Sequence, residues 1–198
     1  MGLFGKIRET FRDPTRNNIC ADLQTLGIDA QLAERGRDEE GIDCDAFNSV
    51  GVIDIREGPI RWVNVVRRFS GAPTFPTYQI KYGVPDPRLG PDSPEPQIKS
   101  VRKKDTPLVG NVVDLHWKGN DFGLGIISRL NNDVSLKHPI MESHDVTIST
   151  YVRHGIFREY PEASTWIITT ELSEIPSEEL WNCYQTIAKH LLAEWPSK

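Results

Sequence analysis

Apolar residues recur at helical spacing near the start of the chain and again at its end. After Asp13 and Pro14, an N-cap residue and a proline suited to the first helical turn, the spacing predicts a helix over about residues 14–26, ending at Gly27. A second helix is predicted from about Pro176, where apolar residues recur every three or four positions in a wide stripe. A stripe of this width is typical of a helix that packs on a sheet.

Between these helices, apolar and polar residues mostly alternate, which is the pattern of half-buried strands. The segments that alternate in this way are IDAQLAER, VGVIDI, IRWVNV, TYQIKY, VTISTYV and TWIITTEL. For IDAQLAER, a continuation of the preceding helix is the alternative. Glu57 and Gly58 separate the second segment from the third and predict a tight hairpin turn. Such a turn would place Ile53 opposite Trp62 and an acidic residue opposite a basic one on the other face.

The segment LHWKGNDFGLG, at residues 115–125, is rich in glycine. Its glycines lack the order of a dinucleotide-binding motif, and no Gly-Lys-Ser/Thr ends it as in a P-loop. We instead predict a hairpin that turns at Gly119 and Asn120, because Trp117 would then face Phe122 across the two strands. The segment IISRLNND would continue as the second strand of this hairpin.

These elements together predict the α+β class. The expected architecture is one domain over residues 1–198, with a mostly antiparallel sheet of about six to eight strands. N-terminal helices precede the sheet, and the C-terminal amphipathic helix packs on it. Too few helical segments lie between the strands to supply the crossovers of a parallel sheet.

A proline-rich loop insertion is predicted at about residues 83–107. Prolines occupy positions 85, 87, 91, 94, 96 and 107, and the run Lys99 to Lys104 is basic. Proline removes backbone donors, so we expect irregular chain throughout this segment. A mobile, solvated insert is the favoured interpretation, and a loop that binds a protein partner or covers a substrate is the alternative.

Composition limits the function classes further. The chain has 198 residues, a net charge of −5 and a pI near 5.6, which makes nucleic acid an unlikely partner. Three cysteines without a spacing pattern argue against a disulfide framework, and no apolar run is long enough for a transmembrane segment. A cytoplasmic location is therefore expected.

The first residues also have helical apolar spacing. Leu3, Phe4, Ile7 and Phe11 would form one face of a short amphipathic helix. We expect this helix to dock on the body of the protein. Binding to a protein partner, or peripheral contact with a membrane, is the less favoured alternative.

The predicted turn at Gly119 has a consequence for the opposite face of its hairpin. His116 would lie across from Gly123, and Asp114 across from Gly125, so two glycines would floor a shallow groove beside an aspartate and a histidine. A carboxylate next to an imidazole can orient it and raise its basicity, which makes Asp114 and His116 the candidate catalytic pair. The favoured interpretation is simpler, a sheet bent at two glycines with two solvated side chains.

Neighbouring strands would complete this groove. Tyr151 and Arg153 are the further binding candidates, and Glu171 is a possible helper. We expect a non-catalytic ligand- or protein-binding module, because no strong catalytic motif is present. The alternative is a small hydrolase or metal-assisted enzyme that uses Asp114 and His116.

The segment KHPIMESHD contains residue types that bind metals. His138 and His144 are the weak metal candidates, with Glu142, Asp145 and the later His154 nearby in sequence. The segment is predicted to be a loop, and its spacings match no ligand pattern. No metal site and no cofactor are predicted.

Overall fold

The computed structural model describes residues 13–42, 48–68, 77–106, 110–151, 164–172 and 176–196. In these ranges the helices are α1 (Thr15–Thr25), α2 (Ile126–Asn132), α3 (Lys137–Glu142) and α4 (Glu178–Leu192). Short 3-10 turns lie at Asp38–Gly41 and Val134–Leu136. The helices predicted after Pro14 and after Pro176 are confirmed as α1 and α4. The predicted helix over residues 3–11 lies outside the described residues.

Eight strands of the described ranges form one sheet. The strands are β1 (Ala30–Leu32), β2 (Ser49–Ile55), β3 (Trp62–Arg68), β4 (Thr77–Pro85), β5 (Gln97–Lys104), β6 (Val112–Asn120), β7 (Val146–Tyr151) and β8 (Thr165–Leu172). Their order across the sheet is β1-β2-β3-β4-β8-β7-β5-β6, and every neighbouring pair is antiparallel. The predicted α+β class, with a mostly antiparallel sheet and a C-terminal helix, is confirmed.

The alternation of side chains gives the sheet one apolar face and one more polar face. A row of cross-strand neighbours on the first face consists of Val63, Tyr82, Ile168, Ile148 and Ile98. All five side chains are buried, and they belong to the same core as the apolar residues of the four helices. The next row along the strands consists of Asn64, Lys81, Thr169, Thr147 and Lys99. The sheet therefore carries its helices on one face.

The hairpin of β2 and β3 exists, but its predicted register is wrong by one residue. Asp54 lies opposite Trp62, and Ile53 lies opposite Val63. The turn is centred on Gly58, whose φ of +85° suits glycine, rather than between Glu57 and Gly58. Ile53 and Val63 are both in the core, so the observed register still joins apolar residues on the helix-covered face.

The hairpin predicted at Gly119 and Asn120 is wrong. Strand β6 continues through Asn120, a turn follows, and α2 begins at Ile126. Trp117 is 2% exposed whereas Phe122 is 54% exposed, so the two aromatic side chains are not cross-strand partners. The ladder partner of β6 is β5.

Two further expectations about local structure need correction. The segment predicted to be irregular from 83 to 107 contains strand β5, so its irregular part between strands is only residues 86–96, here called the proline loop. This loop is docked on the body, because Asp86 and Leu89 are buried. The segment KHPIMESHD, predicted to be a loop, contains helix α3.

No helix in the described part of the chain is long and apolar enough to cross a membrane.

Candidate functional site

Strand β6 brings the predicted pair Asp114 and His116 together. His116 Nε2 lies 2.9 Å from Asp114 Oδ2, as expected for residues two apart on one face of a strand. Lys137, the first residue of α3, places its Nζ 2.8 Å from Asp114 Oδ1. The hydrogen bond from Lys137, with a second from the backbone N–H of Leu115, lowers the pKa of Asp114. The carboxylate is therefore held ionised by its neighbours.

These contacts have a structural explanation, because β6 is an edge strand of the sheet. The Asn131 amide accepts from Trp117 N at 2.8 Å and donates to Trp117 O at 3.1 Å, as a neighbouring strand would. Asp114 accepts from Leu115 N at 2.8 Å, on the same outer side two residues earlier. Edge strands with free backbone groups invite aggregation, and these side chains close the edge.

The predicted groove beside Asp114 and His116 is not formed. The ladder neighbours of these two residues are Lys103 and Val101, and not the glycines at 125 and 123. Since β6 ends before both glycines, neither can floor its polar face.

The helpers predicted for the groove are not gathered there either. Tyr151 packs beside the buried cluster that contains Trp62 and Ile167, and Arg153 lies outside the described residues. Glu171 is on β8, three strands from β6, which is a separation of about 14 Å.

The glycine-rich turn after β6 is already occupied by a carboxylate of the chain itself. Asp121 accepts from Gly123 N at 3.1 Å and from Ile127 N at 3.0 Å. Phe122, Gly123 and Gly125 all have positive φ, which lets the chain fold tightly around this side chain. Two of the backbone amides in this turn therefore bind Asp121 and are not available to a phosphate.

The metal candidates are dispersed. His138 Nε2 lies 3.4 Å from Glu142 Oε1, and His138 Nδ1 lies 3.4 Å from Glu179 Oε1, with all three side chains largely exposed. His144 lies between α3 and β7, and His154 lies outside the described residues. Among the residues that the structure describes, no three His, Cys, Asp or Glu side chains are arranged to hold a metal ion.

A partly enclosed cleft on the helix-covered side of the sheet is the better candidate. It has a volume of about 500 Å³ and lies between α3, the first turns of α4, and strands β4 and β8. This volume is within the range of small-molecule sites. Asp114 and His116 do not line it, whereas Glu171 and His144 do. The cleft lies at the C-terminal end of α3, whereas the N-terminal end of α3 contacts Asp114 on the edge strand.

The floor of the cleft is aromatic and aliphatic. It includes Ile80 and Tyr82 from β4 with Leu180 and Tyr184 from α4. The rings of Tyr82 and Tyr184 are 4.6 Å apart between centroids, and Trp181 meets the Tyr82 ring edge-on. Burial raises the pKa of both tyrosines, so their hydroxyls remain protonated at physiological pH.

The two tyrosine hydroxyls differ in their surroundings. Tyr184 is hydrogen-bonded to Thr170 of β8. Tyr82 is 2% exposed, and no described residue forms a hydrogen bond with its hydroxyl. Because Tyr82 lines the cleft, its hydroxyl has capacity for a hydrogen bond with a group bound there.

The rim of the cleft is acidic. Its three carboxylates come from three elements, with Glu142 at the end of α3, Glu171 on β8 and Glu179 in the first turn of α4. All three residues are exposed. Among the described residues that line the cleft, none is a lysine or an arginine.

A second concavity lies over β5 and the start of β6. It is shallower, has a volume of about 700 Å³, and includes Lys99 and Arg102 of the basic run. Arg102 donates at 2.8 Å both to Asp145 Oδ1 and to the Ser143 carbonyl. The predicted solvated basic cluster is thus partly neutralised by the chain, which makes this surface the weaker candidate.

Sequence inspection missed the cleft because no local motif marks it. Tyr82 and Tyr184 have the spacing of ordinary core residues, and both are indeed largely buried. Their partners come from segments far away in sequence, and the three glutamates were assigned to a loop, a strand and a helix end. The one available signal was the number of glutamates close to the start of α4, at positions 171, 174, 178 and 179.

Comparison with known proteins adds no assignment. The chain matches no protein-family model, and neither the curated proteins nor the solved structures include one that is significantly similar to it.

Proposed function

We propose that the protein is a non-catalytic ligand-binding module whose ligand occupies the cleft between α3, α4, β4 and β8. The observation that carries this proposal is the cleft itself, about 500 Å³ with an apolar floor and a few polar groups at its rim. Such a combination gives a ligand buried apolar area and a fixed orientation.

The non-catalytic part of the proposal is supported by the location of the Asp114 and His116 pair. Both oxygens of Asp114 are engaged, one by Lys137 and Leu115 and the other by His116. The pair lies on the edge strand and lines no part of the cleft. Its contacts join α3 to β6, which is sufficient to explain them.

A hydrolase built on this pair is the second candidate, favoured by the 2.9 Å contact between His116 and Asp114. A screen of chromogenic ester and phosphoester substrates would test it, with His116→Ala as the variant and His138→Ala as the exposed control. Turnover that disappears only in His116→Ala would establish the enzyme. The absence of turnover, or its persistence in His116→Ala, would remove this candidate.

A cytoplasmic location belongs to the same proposal. Cys20 and Cys183 are buried free thiols, and burial raises the pKa of Cys183 to about 12. Thiols of this kind are unreactive and suit a reducing compartment. A protein partner at the proline loop, the less favoured interpretation, gains no support, because Arg88 and Leu89 anchor that loop to the body.

Ligand-observed NMR with a library of small polar and charged fragments tests the proposed cleft. Leu180→Trp would fill the cleft from α4, and Asn182→Trp, on the exposed side of the same helix, is the matched control. We expect fragments that bind to the native protein and to Asn182→Trp but not to Leu180→Trp. Binding that survives equally in Leu180→Trp, or an absence of binders, would contradict the proposal.

A further inference from the structure

We propose that the cleft binds an organic cation, an alkylammonium group attached to an apolar body. This inference rests on the proposed function and names the ligand class of the same site. It depends on three features of the described residues, which are the charge of the rim, the nature of the floor and the free hydroxyl of Tyr82.

The rim selects against anions. Glu142, Glu171 and Glu179 surround the opening, and no described lysine or arginine lines it. His138 lies 3.4 Å from carboxylate oxygens of both Glu142 and Glu179, so one nitrogen-bearing group can reach two of these carboxylates at once. Like charges gathered at a concave surface create a local potential that attracts a cation.

The floor suits an apolar body next to that cation. Ile80 and Leu180 are aliphatic, and the faces and edges of Tyr82 and Tyr184 provide aromatic surface. Aromatic rings attract ammonium groups through their quadrupole, most strongly where water is excluded. A small hydrophilic ion such as sodium would leave this floor unused.

The Tyr82 hydroxyl is the independent observation that points to a ligand. Tyr82 is 2% exposed and lines the cleft, and no described residue forms a hydrogen bond with its hydroxyl. An ammonium N–H would donate to this oxygen, while the exposed glutamates neutralise the charge. The glutamates of the rim and the tyrosine of the floor would then both stabilise the ammonium group of the ligand.

An alkylammonium group can come from a free amine or from a lysine side chain of another protein. Both present the same chemistry to the cleft, so the experiment must separate them. A free amine would bring its own apolar body, whereas a lysine would bring a flexible four-carbon stem and a flanking backbone.

The test is calorimetric titration with three probes of similar shape, which are phenethylamine, phenethyl alcohol and hydrocinnamate. We expect the amine to bind at least about tenfold more tightly than the alcohol, and the carboxylate to bind more weakly than both. In the double variant Glu142→Gln/Glu179→Gln the amine should fall to the affinity of the alcohol. Glu178→Gln, in the same first turn but not lining the cleft, is the control and should bind like the native protein.

Two further measurements sharpen the result. Tyr82→Phe should weaken amine binding about fivefold, because it removes one hydrogen bond without emptying the cleft, and unchanged affinity would overturn the role of the hydroxyl. Nα-acetyl-lysine methylamide distinguishes the sources, since tighter binding than phenethylamine indicates a lysine of a partner and weaker binding a free amine. Thermal unfolding of each variant confirms that it is folded.

Failure of the cation inference can be distinguished from failure of the proposed ligand-binding function. Equal binding of all three probes, abolished by Leu180→Trp, would overturn the cation inference and leave the proposed cleft intact. Fragments from the library that bind in the cleft while the amine does not would do the same. Absence of binding by every probe and every fragment would overturn both proposals.

Discussion

The two ends of helix α4 differ in the groups that surround them, which are hydrogen-bonded arginines at the C-terminal end and exposed glutamates at the N-terminal end. At its C-terminal end, Arg88 donates to the Leu191 and Ala193 carbonyls at 3.0 and 2.9 Å. Arg129 donates to the His190 carbonyl at 3.2 Å. At its N-terminal end, Ser177 caps the helix by accepting from Leu180 N at 3.2 Å, and the open cleft begins there.

The C-terminal end is closed by a network that also anchors the proline loop. Asp86 is 1% exposed and accepts from Arg88 Nη2 at 2.7 Å and from Trp166 Nε1 at 2.9 Å. The Arg88 guanidinium also lies 4.5 Å from the ring centroid of Trp195. Cations at this end complement the helix dipole as well as the terminal carbonyls.

The difference lies in whether the polar groups can reach a ligand. At the C-terminal end Arg88 and Arg129 donate to groups of the protein and contribute to stability, although the buried Arg129 Nε and Trp195 Nε1 have no partner among the described residues. At the N-terminal end the carboxylates are exposed, and the apolar floor with Tyr82 opens into the cleft. Changes at the first end should therefore alter unfolding, and changes at the second should alter binding.

The largest expected effect comes from Asp86→Ala. This change leaves the buried indole N–H of Trp166 without an acceptor and removes the partner of Arg88. We expect a loss of about 3 kcal/mol in the free energy of unfolding, the lower end for a broken buried pair because Arg88 is partly exposed. Urea unfolding measures it, with the exposed Asp92→Ala of the same loop as control. A loss no larger than that of the control would show that the network does not stabilise the fold.

Acid should remove part of the same contribution. Burial alone would raise the pKa of Asp86, but hydrogen bonds from Arg88 and Trp166 outweigh it and hold the pKa below its ordinary value. A depressed pKa contributes stability that is present above the ordinary value, near 4, and lost as pH falls through the lowered one. The difference in unfolding free energy between the native protein and Asp86→Asn should therefore shrink below about pH 4. A constant difference down to acid pH would contradict this assignment.

Arg129→Met should have a smaller effect. The change removes the hydrogen bond to the His190 carbonyl. This loss is partly offset because burial disfavours the charged guanidinium and lowers its pKa, so its removal also relieves a cost. Methionine in addition keeps an apolar stem. We expect a loss of about 1 kcal/mol, measured by urea unfolding. Lys189→Met, an exposed cation in the last turn of α4, should cost only a few tenths. Equal losses would mean that the dipole, and not the hydrogen bond, is what matters.

The smallest effect on stability is expected at the cleft. Glu179→Gln removes a negative charge from the first turn of α4 and should cost only about 0.3 kcal/mol. Glu178→Gln should cost the same amount, since it lies in the same turn, and only Glu179→Gln should also weaken amine binding. Thermal unfolding with and without phenethylamine measures both quantities. A large stability loss from Glu179→Gln alone would place it in a structural network after all.

Some of these features were predictable from local pattern. Helices α1 and α4 and strands β4, β7 and β8 follow from apolar spacing, because a long periodic segment distinguishes steps of two from steps of three or four. The contact of Asp114 with His116 also follows, since any strand places residues two apart on one face. Whether that pair had a functional role did not follow, because Lys137 and Asn131 come from segments after the strand.

Short segments were the main source of error. In IISRLNN, the buried residues Ile126 and Leu130 are four apart, a separation that satisfies both a helix and an alternating strand. Strand β5 was missed because it begins directly after Pro96, and the proline count of its surroundings dominated the interpretation. In both cases a few residues carried too little periodic information to decide.

The amino-acid sequence by itself determined which segments are amphipathic, on which side each one is apolar, and hence the class of the fold. Only the tertiary structure decided the strand order, the docking of the proline loop on α4, and the meeting of Tyr82, Glu142 and Glu179 around one cleft. The physical reason is the separation along the chain between the residues that set each feature. Periodicity is set by backbone geometry within a few residues, whereas the cleft depends on segments that come together only when the core is packed.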